Sequence, residues 1–311
     1  MSIDMVTVSD AVEAFRRALS LRRSARTVEA YTTALRHFET FCGEVGQQAA
    51  EMPLQEVTPD MALSFIRWLQ DRNPVSATTL DNYMTALTRF YRWLLLEERA
   101  SFAIADYARL QERLADVRGR RPPRPLPHVP AEDAVQALVT AAYAAPLPED
   151  PKTPKGRRAT LLRLRNIALI EVLRSTGARV GELVALRRTD LDHERRAAVV
   201  MGKGRKQRLV YLDEKAWDAL TQYLQVRADG ATRKSLATLP VFARHDRGAG
   251  SRVLPISTNT VRAAINDLCQ SAGLDETITP HLFRHRFATR VLRATHDLAA
   301  TQDLLGHASP T

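Results

Sequence analysis

Two short stretches of this 311-residue chain set arginines beside groups able to hold or move a proton. In TGARVGE, Arg179 and Glu182 stand three apart. In TPHLFRHRF, Thr279 and Pro280 open a helix that carries His281, Arg284 and His285 on one face, at i, i+3 and i+4. Two further pieces are Lys203, between two glycines in MGKGRKQ, and His307, behind Gly306 in DLLGH. Two planar guanidiniums suit an oxyanion, because each can grip two oxygens through paired hydrogen bonds, which lysine does less well. Taken singly, none of the four pieces decides anything. An Arg–Glu pair three apart on a helix is commonly a surface ion pair, GKG is commonly a turn, and GH commonly follows a helix. An HxxxH helix can ligate a metal, but HLFRH lacks the glutamate of HExxH and its arginine repels a cation, so a metal hydrolase on His281 and His285 is a distant reading.

The elements that must carry these residues are mostly helical. In the first third, Ser9 is placed to cap a helix with Val12, Phe15 and Leu19 on one face. Val28, Tyr31, Leu35, Phe38 and Phe41 mark a second helix, Thr58 and Pro59 open a third, and Leu80, Tyr83, Leu87, Phe90, Tyr91 and Leu94 mark a fourth. Such aromatic stripes read as the core of a small bundle rather than as a base-stacking surface. The run GRRPPRPLPHVP, with five prolines, cannot continue a helix and reads as a stiff basic linker. Beyond it, residues 131–143 read as a helix, 146–158 as a polar, basic loop, and 160–174 as a helix with an apolar stripe. The runs at 197–201 and 208–212 flank GKGRKQ as a β-hairpin, and helices are expected at 214–227, 258–272, 280–293 and 297–305.

Lys and Arg number 45 against 35 Asp and Glu, a formal net charge of +10, which favours a polyanionic partner. Cys42 and Cys269 form no CxxC pair and suggest neither a disulfide framework nor a zinc site. The opening MSIDMVTVSD lacks the basic-then-apolar run of a signal peptide, and no apolar stretch approaches the roughly 20 residues of a membrane span. A soluble protein of the cytoplasm is the expectation.

TGARVGE, GKG, HLFRH and LGH, in that order within residues 131–311, strongly resemble the tyrosine site-specific DNA recombinases of the integrase/Xer type. The pattern of that family is an arginine in TGxRxxE, a lysine on a β-hairpin, HxxRH and then GH. SARTVEAYTTALRHF resembles the S-x-x-T-x-x-x-Y-x-x-x-L-x-x-F of the family's helical core-binding domain, so the resemblance spans essentially the whole chain. It implies a mainly α protein: a four-helix, SAM-like core-binding domain over 1–117, a Pro/Arg-rich linker over 118–130, and an α-rich catalytic domain with a small antiparallel β-hairpin over 131–311.

The resemblance also implies roles, residue by residue. Arg179 and Arg284 would grip the non-bridging oxygens of a DNA phosphodiester as charge builds at phosphorus, with Glu182 orienting Arg179. Lys203 would protonate the departing 5′ oxygen, His281 would shuttle the proton of the nucleophile, and His307 would hydrogen-bond the phosphate. The family acts as a tetramer on two duplexes, here alone or with a related recombinase, through a 3′-phosphotyrosyl ester that keeps the bond energy, so neither cofactor nor metal is called for. Double-stranded DNA is the expected partner, with Arg120, Arg121 and Arg124 of the linker and Arg205 and Lys206 of the hairpin as candidate contacts; no membrane is involved.

The sequence departs from the pattern at the nucleophile. In the family a tyrosine follows the GH histidine, whereas this sequence ends four residues after His307 and its tyrosines, Tyr211 and Tyr223 among them, fall in the hairpin or in helical core patterns. The expectation is a chain cut before its last helix that binds DNA without cleaving it. The alternative is a non-catalytic accessory DNA-binding protein descended from a recombinase. A type IB topoisomerase shares the chemistry, but the helical N-terminal domain and the motif order argue against it. Arg286 stands where a small hydroxyl residue is expected, without a physical account.

Overall fold

Small polar residues ahead of apolar periodicity set where the helices begin. A computed structural model of the chain describes residues 6–72, 75–118, 132–148, 150–202, 206–229, 236–250, 252–275 and 278–305, which fall into two units, Met1–Pro125 and Leu126–Thr311.

The first unit holds α1 (Val8–Ser20), α2 (Ala25–Val45), α3 (Pro59–Arg72), α4 (Ala77–Leu96) and α5 (Ile104–Arg118). All four expected helices form, and α5 joins them with Leu110 and Leu114 as its buried residues. The cap of α1 is Thr7, not Ser9. Thr7 and Asp10 satisfy each other's backbone N–H groups in a capping box, which leaves Ser9 inside the helix, its hydroxyl donating to Glu39 at 2.8 Å. The aromatic stripes are core: Phe38, Phe65, Phe90 and Tyr91 are fully buried, Phe38 meets Phe65 edge-on at 5.5 Å, and the Tyr91 hydroxyl donates to the carbonyl of Thr58. Of the expected linker, Arg118 is the last residue of α5; positions 119–130, including Arg120, Arg121 and Arg124, lie outside the described residues.

The second unit is built around α7 (Pro154–Thr176). Every residue from Ile167 to Leu173 is buried, so this stretch of the helix is enclosed on all sides rather than along a stripe, and it forms the middle of the unit. Packed against it are α6 (Glu132–Ala144), α9 (Glu214–Arg227), α10 (Thr258–Ser271) and α11 (Pro280–Thr295), with α8 (Val180–Ala185) following it and α12 (Leu298–Leu305) lying against α11. The 146–158 stretch is not all loop. Thr153 caps α7 and Pro154 takes its first turn, which places Lys155, Arg157 and Arg158 on the helix.

Three antiparallel strands, β1 (Leu191–Asp192), β2 (Ala197–Met201) and β3 (Gln207–Tyr211), pair in chain order. The register opposes Ala198 to Val210 and Val200 to Arg208, and the Gly202 N–H donates to the Lys206 carbonyl at 2.8 Å beyond the last pair. Helix α9 matches its expected span, and α10, α11 and α12 do so within two residues.

Candidate active site

Helix α7 ends at Gly177, whose left-handed backbone (φ +58°) turns the chain into α8. A Cβ at this position would lie 2.7 Å from the ring of Phe287 on α11, so glycine is required both by the backbone conformation and by the neighbour. Two residues on, Arg179 is the N-cap of α8, and Glu182 closes back on it: Arg179 N–H donates to Oε2 at 2.8 Å and Arg179 Nη1 to Oε1 at 2.9 Å. The expected Arg–Glu pair thus exists, but it is no surface pair, since the Glu182 side chain is only 4% exposed while that of Arg179 is 37% exposed.

Helix α11 delivers Arg284 to the same place. Its Nη1 donates to the carbonyl of Gly177 at 3.0 Å and its Nη2 to the carbonyl of Leu305, the last residue of α12, at 2.5 Å. Both acceptors are neutral, and Arg284 has no carboxylate partner among the described residues. Burial, with Arg179 and Arg208 as positive neighbours, pushes its pKa down to about 10, so the guanidinium keeps its charge at neutral pH. One turn away, His281 and His285 meet edge-on with ring centroids 4.6 Å apart. Burial, His285, Arg284 and Arg179 all lower the pKa of His281, which favours the neutral ring, able to accept a proton. The pair recruits no further ligand: among the described residues, no group of three His, Cys, Asp or Glu could hold a metal ion.

These observations assemble a centre whose expected members Arg179, Glu182, His281 and Arg284 come from two separate stretches of sequence. Lys203, Arg205 and His307 lie outside the described residues. Lys206 is described and exposed, just ahead of β3.

The phage integrase family matches residues 152–311, and the phage integrase N-terminal SAM-like domain matches residues 12–98. The tyrosine recombinase XerC of Xanthomonas axonopodis pv. citri is 33% identical over 303 residues, covering 95% of this chain and 88% of the relative. XerC of Pediococcus pentosaceus is 29% identical over 304 residues, covering 96% and 89%. This chain belongs to the phage integrase family, as a tyrosine recombinase of the Xer type. Its fold is that of the XerH site-specific recombinase in a pre-cleavage complex with its difH substrate, with a TM-score of 0.65 at 18% identity over 98% of this chain and 79% of that one.

Within this Xer-type recombinase, one functional side chain escaped the sequence reading. Arg208 on β3 grips Glu182 with two parallel bonds, Nη1 to Oε1 at 2.7 Å and Nη2 to Oε2 at 2.8 Å, and its Nε donates to the carbonyl of Leu304 at 3.2 Å. Burial alone would raise the Glu182 carboxyl, but the hydrogen bonds from Arg208 and Arg179 outweigh it and hold the group below its ordinary value. The available signal was strand alternation. Arg208 shares a face with Val210, opposite Val200 and Ala198 of β2, so a charge sits on the inward face of a strand and requires a buried partner.

Proposed function

We propose that this recombinase cuts and rejoins DNA strands at a specific site through a 3′-phosphotyrosyl intermediate, as a tetramer on two duplexes. We propose further that residues 1–311 bind and position the DNA without cutting it. The observation that carries the reading is a charge imbalance. Three guanidiniums, Arg179, Arg208 and Arg284, meet one carboxylate, Glu182, and that carboxylate is already bonded to two of them. Such a centre is costly to keep without an anion and is suited to a phosphodiester on its way to a five-coordinate phosphorus.

Arg179, the most accessible of the three, and Arg284, through donors beyond its two carbonyl bonds, would hold the non-bridging oxygens. In the forward step a tyrosine oxygen bonds to phosphorus, its proton passing to neutral His281, while the bond to the 5′ oxygen breaks and Lys203 protonates that leaving oxygen to give the 5′ hydroxyl. Rejoining reverses each transfer, with the 5′ hydroxyl of the partner strand displacing the tyrosine. His307 would add a hydrogen bond to the phosphate. Arg120, Arg121, Arg124, Arg205 and Lys206 would contact the DNA outside the centre. Tyr91, Tyr223 and Tyr211 do not fit the nucleophile: Tyr91 and Tyr223 are fully buried, and Tyr211 alternates with Arg208 onto the other face of β3. No helix among the described residues is long and apolar enough to cross a membrane, and the place of action is taken to be the cytoplasm.

The test is selection of random duplexes by the 311-residue chain, followed by trapping on a nicked copy of the enriched site. Enrichment of a defined site, and no covalent adduct with these residues alone, is the expected result. A chain that enriches no duplex overturns the DNA reading, and a covalent adduct overturns the assignment of no nucleophile.

A further inference from the structure

The opposite end of α7 gathers a second set of positive charge. Nineteen residues separate Arg158 from Gly177, roughly 28 Å along the helix at its usual rise. Here a cavity of about 520 Å³ opens between the start of α7, the end of α9 and residues 243–246, 250, 252 and 253. That volume lies in the range of small-ligand sites.

The lining holds five arginines and two aspartates, and the pairing among them leaves charge over. Asp229 is gripped by Arg227 through Nε at 2.7 Å and Nη2 at 2.6 Å, and Asp246 by Arg244 through Nε at 2.7 Å and Nη2 at 2.8 Å. Arg157, Arg158 and Arg252 remain, none with an ion-pair partner among the described residues. The Nε–H of Arg158 is buried and has no acceptor. A donor removed from water and left unbonded is costly, and an oxygen of a ligand in the cavity would satisfy it. Beneath the cavity, buried Arg165 bonds, among the described residues, to neutral oxygens, Asn166 Oδ1 at 2.9 Å and the Ala243 carbonyl at 3.5 Å. His245, on the wall and hydrogen-bonded to Tyr223, has its pKa lowered by burial first and then by Arg165 and Arg227, against Asp229 and Asp246.

We propose that this cavity binds phosphate oxyanions, either free polyphosphate or the phosphodiesters of DNA beyond the site of strand cleavage. Arg157, Arg158 and Arg252 are the binding groups. Three unpaired guanidiniums select a multiply charged tetrahedral anion over a single carboxylate, because each offers a fork of donors matched to two phosphate oxygens. The DNA source rests on the proposed function; the free-phosphate source does not.

Titration calorimetry of the full chain with sodium tripolyphosphate at constant ionic strength gives the direct answer. The double variant Arg157→Glu with Arg252→Glu is compared with Arg247→Glu, an exposed neighbour that does not line the cavity. Saturable binding that weakens at least about tenfold in the double variant, and less than about twofold in Arg247→Glu, is the expected result for free polyphosphate. In parallel, the salt dependence of binding to a random-sequence duplex is measured. A slope that falls by about one for each lost phosphate contact assigns the site to DNA, with or without tripolyphosphate binding. No tripolyphosphate binding together with an unchanged DNA slope overturns the proposal. A wild-type chain that binds no DNA at all defeats the recombinase reading, while the calorimetry still decides the cavity.

Discussion

Arg208 and Glu182 meet fork to fork, with the two guanidinium Nη atoms on the two carboxylate oxygens at 2.7 and 2.8 Å. The pair ties β3 to α8, and its side chains are 11% and 4% exposed, so it is shielded from solvent and salt. Arg208→Ala leaves Glu182 with Arg179 alone. The expected loss is about 3 kcal/mol of stability, read by chemical denaturation. Arg208→Lys keeps the charge and loses the fork, and should recover less than about half of that. Full recovery by lysine would show that charge alone matters.

Arg179 and Arg284 should separate stability from binding. Arg179 is partly exposed and Glu182 keeps Arg208 without it, so Arg179→Ala should change stability by less than about 1 kcal/mol. Its affinity for the selected duplex should still fall about tenfold, measured by titration at fixed salt. Arg284→Ala removes the bonds to Gly177 and Leu305 as well, so both quantities should fall.

Gly177→Ala meets two obstacles: a left-handed backbone and the Phe287 ring. A loss of about 2–4 kcal/mol is expected. Combining it with Phe287→Ala removes the clash but not the backbone cost. The double variant should therefore be less destabilised than the sum of the singles, by about 1 kcal/mol or more in a denaturation cycle. Additive effects would place the cost in the backbone alone.

The stability of the second unit should fall on mild acidification. His245 is held down to about 4 by burial first, then by Arg165 and Arg227, with Asp229 and Asp246 opposing and the Tyr223 hydroxyl on its Nε2. The unfolded chain binds this proton near the ordinary value of 6.5, so the folded state is favoured above that pH and loses ground as pH drops toward 4. The contribution is about 3 kcal/mol at most. Denaturation midpoints of wild type and His245→Gln, followed from pH 7 to pH 4.5, should converge; parallel curves would remove His245 as the cause.

The sequence was legible where one element determines the outcome. His281, Arg284 and His285 share a helical face because spacing alone puts them there, and α9 runs over its expected span because Asp213 caps it ahead of apolar periodicity. Arg208 was not legible, because its role depends on strand register and on a glutamate 26 positions earlier in the chain. The start of α7 was misread because prolines and basic residues hid a Thr–Pro opening. Helix α5 went unmarked because it buries only Leu110 and Leu114, too few to show a period.

The last two carbonyls of α12, those of Leu304 and Leu305, are held by Arg208 and Arg284. On the proposed function, the Arg284 guanidinium would hold phosphate through its remaining donors while its Nη2 holds the end of α12. On that proposal, occupancy of the centre and seating of α12 would be thermodynamically linked. Whatever factor the seated helix applies to phosphate affinity, bound phosphate returns to the helix. The end of α12 would thus be an anchor whose grip reports whether DNA is bound.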